Sequence, residues 1–69
     1  MPVSMMGVGS SHRIKAVGGG ETVRRRLGDL GFVVGAEVTV VNNLDGNLIL
    51  EIGESRVALD ADLARRILV

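Results

Sequence analysis

Apolar and polar residues alternate in short runs along most of this chain, which is the period of half-buried strands. Residues 12–17 form the first run, with Ile14 and Ala16 on one side and Arg13, Lys15 and Val17 on the other. Gly18, Gly19 and Gly20 end it, because consecutive glycines tolerate a sharp change of direction. The period then changes. Val23, Leu27 and Leu30 recur at i, i+4 and i+7 and predict an amphipathic helix over residues 21–30. Glu21 complements the helix dipole in the first turn. Gly31 stands where a left-handed C′ residue belongs, with Phe32 folding back on Leu27 as in a Schellman motif.

Alternation resumes after a Val34-Gly35 turn. Residues 37–41 predict a strand with Val38 and Val40 inward, and residues 42–47 read as a hairpin connection because Asp45-Gly46 is a strong turn signal. Residues 48–52 point Leu48, Leu50 and Ile52 inward, and residues 55–59 point Val57 and Leu59 inward. Asp60 reads as an N-cap, followed by a short helical turn in which Asp62 faces Arg65 and Arg66. Ile67, Leu68 and Val69 then form a closing strand. The fold class is mostly β: a small, five-stranded, strongly bent barrel with one inserted helix and a short terminal helical turn.

Composition narrows the chemistry. A chain of 69 residues gives one domain over residues 1–69, and a domain this small buries only about 60% of its unfolded surface. With no Cys in the sequence there is no disulfide, thiolate metal site or Cys nucleophile, in keeping with a reducing cytoplasm. Hydrophobic residues reach 46% and aromatics only 1%, so aliphatic packing must supply the stability. The opening residues lack a basic n-region and an apolar run, so the expectation is a soluble, cytoplasmic protein.

Net charge is zero but uneven: residues 1–35 hold five basic and two acidic side chains, and residues 36–69 hold three and six. Global neutrality argues against a nucleic-acid partner. His12 is the only His, one ligand where a zinc site needs about three or four, and no oriented nucleophile accompanies it. Asp60 and Asp62, with Glu54, read as capping residues rather than a hard-cation site. The glycine run lacks the Lys-Ser or Lys-Thr of a phosphate-binding loop. The reading is therefore no enzyme, no cofactor and no resident metal.

Partner binding remains. Arg24, Arg25 and Arg26 suit a solvated helix face or a docking surface for an acidic partner. Val33, Val34, Val41 and Ile49 fall outside the alternation that fills the core, and Met5 and Met6 precede the first strand. Exposed apolar surface usually marks an interaction site, although the methionines also suit a plug at the barrel's end. Met5, Met6, Arg24, Arg25, Val34, Val41 and Ile49 are the candidate partner-binding residues.

The run from Arg26-Leu27 through Leu30-Gly31-Phe32 to Gly35 and Val38-Thr39-Val40 resembles the FeoA family of ferrous iron transport accessory proteins, as do Val57-Ala58-Leu59 and residues 64–69. Val34 departs from the pattern, standing where the family often has Pro. The resemblance implies an SH3-like barrel and a cytoplasmic accessory, recruited to the inner face of the membrane. Its implied partner is the ferrous iron permease, which carries its own GTP-binding domain. The same fold occurs in metal-dependent repressors similar to the diphtheria toxin repressor, so the alternative is a stand-alone metal-responsive regulatory module. Fold alone does not choose between them.

Overall fold

The computed structural model describes Met1–Val69. A 3₁₀ turn at Val3–Met5 leads into strands β1 (Ser11–Arg13) and β2 (Ala16–Val17), helix α1 (Gly20–Asp29), strands β3 (Glu37–Leu44), β4 (Asn47–Ile52) and β5 (Ser55–Leu59), helix α2 (Ala61–Ala64) and strand β6 (Ile67–Leu68). Four strands make one antiparallel sheet in the order β1-β3-β4-β5, and β2 pairs with β6 in a second sheet. The mostly-β class with two helices stands. The ladder is divided between two sheets rather than closed as one five-stranded ring.

The division falls inside the first predicted strand. Residues 12–17 do not form one strand, because the chain changes partners midway. β1 pairs with β3, matching His12 to Val38, whereas β2 pairs with β6, matching Val17 to Ile67. Between them the Ile14 amide donates to the Ala36 carbonyl at 2.9 Å and the Lys15 amide donates to the Leu68 carbonyl at 2.8 Å. Two consecutive residues thus bond to opposite sides of the molecule. The bend carries Ile14 into the core, where it is 1% exposed.

A second correction concerns the central hairpin. β3 runs on through Asn42 and Asn43 to Leu44 instead of ending at Val41. Only Asp45 and Gly46 form the turn, with φ of 56° and 92°, as a two-residue hairpin of the right twist requires. The Asn43 side-chain oxygen accepts from the Gly46 amide at 2.8 Å and steadies it. Val41 is the extra residue of a β-bulge, since Val40 faces Leu50 and Asn42 faces Ile49. A bulge adds local twist, which helps the ribbon wrap the core.

Twelve residues are buried, all apolar; Val3, Ile14, Leu27, Phe32, Val38, Val40, Leu50 and Ile67 are among them. The alternation of β3 and β4 places Val38, Val40, Leu48, Leu50 and Ile52 inward as predicted, and Val57 is half-buried against them. Leu30 corrects the helix stripe. It is the C-cap of α1 and is 43% exposed, whereas Leu27 one turn earlier is fully buried. The plug at the core's end is Val3, with Met6 packed beside it, while Met5 is 65% exposed. The chain ends meet: the Val69 amide donates to the Met1 carbonyl at 2.7 Å, and Pro2 bridges to Leu68. No helix is long and apolar enough to cross a membrane.

Candidate functional site

The helix end and the loop after it build an exposed apolar surface. α1 closes with two bonds, from the Gly31 amide to the Gly28 carbonyl at 2.9 Å and from the Phe32 amide to the Leu27 carbonyl at 3.0 Å. These are the paired bonds of a Schellman motif. Gly31 takes φ of 101°, a left-handed conformation that L side chains adopt only with strain. The motif drives Phe32 into the core and turns the chain so that Val33 and Val34 project outward, 50% and 67% exposed. A turn from Val33 to Ala36, bonded at 3.0 Å, holds the two valines in place.

These valines form one wall of an open groove of about 320 Å³. Ala16 and Val17 of β2 and the edge of Phe32 supply the rest of its apolar lining, and Lys15 and Arg24 are its only charged residues. Neither cation belongs to an ion pair; the pairs are Arg25 with Glu21 at 3.5 Å, Arg56 with Glu51 at 3.2 Å, and Arg65 with Asp62. The groove is thus apolar in its body, positive at its rim and free of carboxylates.

A second hollow, of about 520 Å³, lies on the other side of the helix end. Leu30, Ala36 and Ile52 give it an apolar part, and Glu37, Thr39 and Glu51 a polar one. Its charge is partly spent, because Glu51 is paired with Arg56. Thr39 is also engaged, its hydroxyl 2.7 Å from that of Ser11 on the neighbouring strand.

The sequence-derived candidates separate on this surface. Arg24 and Val34 meet in the first groove. Arg25, on the same helix, is turned to Glu21. Val41 and Ile49 are half-buried and lie by the bulge on the outer face of the large sheet, and Met5 stands apart in the 3₁₀ turn. Sequence reasoning left out Lys15 and Val17 as groove residues. Their alternation marks them as outward-facing, but nothing in it says that the chain bends there and brings them beside Phe32.

His12 is half-buried, with Nε2 2.8 Å from the Ser10 hydroxyl. That hydroxyl donates its one proton to the Gly7 carbonyl, so it accepts from Nε2–H of the imidazole. Asp60 caps α2, its carboxylate accepting from the Leu63 amide at 2.9 Å. Gly18, at the head of the glycine run, bonds through its amide to the Arg66 carbonyl at 2.8 Å and continues the β2–β6 pairing. Nowhere do three or more His, Asp or Glu side chains converge.

The fold is that of a small, mostly-β domain of SH3-like form. The FeoA domain model matches residues 1–69, and the chain belongs to the FeoA family. One similar solved structure is an iron uptake regulatory protein, FeoA, at 31% identity and TM-score 0.90, covering 97% of this chain and 91% of that one. Another is Stenotrophomonas maltophilia FeoA complexed with zinc, at 31% identity and TM-score 0.84, covering 99% and 86%. It is described as a procaryotic SH3 domain protein with a suggested role as a ferrous iron transport activating factor. A manganese-dependent transcriptional repressor matches at 14% identity and TM-score 0.87 over 97% of this chain and 39% of its own; that likeness is one of fold. Among proteins of curated function none matches. In this chain His12 is the single imidazole, and its Nε2 is bonded to the Ser10 hydroxyl.

Proposed function

We propose that residues 1–69 act as one FeoA-like domain in the cytoplasm, an accessory of ferrous iron uptake that works by binding and not by catalysis. Its partner is the cytoplasmic GTP-binding part of the membrane permease for ferrous iron, which recruits it to the inner face of the membrane. Family membership over residues 1–69 is the observation that carries this reading. The groove bordered by Arg24 and Val34 supports it, because exposed apolar surface rimmed by charge is a usual docking feature. Met5, Met6, Arg25, Val41 and Ile49 complete the proposed contact set as peripheral residues.

The alternative, a metal-responsive regulatory module, draws on the repressor likeness, which concerns fold alone. The family match over residues 1–69 favours the accessory reading. Co-purification with the full-length permease and with its GTP-binding domain, each with and without GTP, tests the proposal. Retention in at least one nucleotide state is expected. Absence of retention under all four conditions would refute it.

A further inference from the structure

We infer that the groove between β2 and the α1–β3 loop is a receptor for an acidic, aliphatic polypeptide segment, in which apolar side chains enter the groove and flanking carboxylates meet Lys15 and Arg24. The inference rests on the reading of this chain as a partner-binding domain and adds the chemistry of what it binds. Three observations carry it.

Charge complementarity comes first. The protein has equal numbers of acidic and basic side chains, yet the groove is lined by two cations and no anion. Lys15 and Arg24 lack the carboxylate partners that Arg25, Arg56 and Arg65 have. An acidic segment pairs them, whereas a basic one meets like charges with no carboxylate in the groove lining to compensate.

The shape is the second. The groove is open and holds about 320 Å³, the low end of the range for pockets that enclose a small molecule, and its lining valines, Val33 and Val34, are half or more exposed. Such a surface receives side chains from an extended partner. Rigidity is the third. The Schellman bonds and the buried Phe32 hold the loop, which lowers the ordering cost of presenting the valines at binding.

A concave site with two cations suits a polypeptide better than an anionic membrane, which attracts larger basic clusters, of about four to eight Lys or Arg. The test is selection of a displayed random-peptide library on the folded chain. Asp or Glu beside Leu, Ile or Phe is expected to be enriched in the selected peptides. Lys15→Glu with Arg24→Glu is expected to weaken their binding by at least about tenfold, with partial loss from Val34→Asp. Arg56→Glu is expected to leave it within about twofold, since Arg56 is paired with Glu51 and does not line the groove. Circular dichroism of each variant establishes that it is folded. Failure to select any peptide, selection of basic or uncharged ones, or equal binding by the double variant would overturn the inference. So would amide shifts at Val33 and Val34 with phosphatidylserine vesicles and none with peptide. The permease plays no part in this selection, so the inference and the proposed partnership fail independently.

Discussion

The Phe32 amide donates to the Leu27 carbonyl at 3.0 Å, and both side chains are buried, at 1% and 0% exposure. Together with the Gly31–Gly28 bond it ends the helix, seats the single aromatic residue of the chain in the core, and leaves Val33 and Val34 exposed to solvent. Fold and candidate site share this joint.

The joint depends on Gly31. A Cβ there would meet Ile52 side-chain carbons at 3.5 and 3.8 Å, ordinary contact distances, so the cost of Gly31→Ala comes from its φ of 101°. The expected destabilisation is about 1–2 kcal/mol. Urea unfolding should show a lower midpoint with an unchanged slope.

Leu27 and Leu30 share a helical stripe in the sequence but not an environment. Leu27→Ala is expected to cost about 2–5 kcal/mol through the cavity it leaves, enough to unfold much of a domain this small. Leu30→Ala, at a side chain 43% exposed, should stay within about 0.5 kcal/mol. Thermal melts of the two variants separate them directly.

Asp60 and Asp62 also part company. Asp60 caps α2 through the Leu63 amide, so Asp60→Ala is expected to cost about 0.5–2 kcal/mol. Asp62 pairs with Arg65 on the surface, at side-chain exposures of 79% and 61%, and such pairs contribute about 0–1 kcal/mol. Asp62→Ala should therefore lower the urea midpoint less than Asp60→Ala does, and added salt should narrow its effect further.

Much of the fold was legible because local rules and tertiary packing agree. The alternation of residues 48–52, the Schellman signal at Gly31 and the Asp60 cap appear in the structure as read. Three features were not legible, each for a physical reason. Periodicity records which face a residue occupies but not which strand it bonds, so the partner change at Ile14 and Lys15 was hidden. Asn42 and Asn43 have the composition of a turn, yet they lie in a solvated ribbon where their side-chain oxygens accept backbone amides at 2.8 Å. Val3 carries no pattern at all, and its burial follows from Pro2 bridging to the distant Leu68.

The candidate site was half legible for the same reason. Arg24 and Val34 stood out as a charge in a basic run and as a stray apolar residue, while Lys15 and Val17 join them only through the bend between β1 and β2.

The most direct test of the account is amide chemical-shift mapping of the isotopically labelled chain during titration with the permease's GTP-binding domain. The account predicts saturable shifts concentrated at Ala16, Val17, Arg24, Val33 and Val34, with smaller ones at the peripheral Val41 and Ile49 and little change at Thr39 and Glu51. A titration without shifts, or with saturable shifts centred on Thr39 and Glu51, would contradict it.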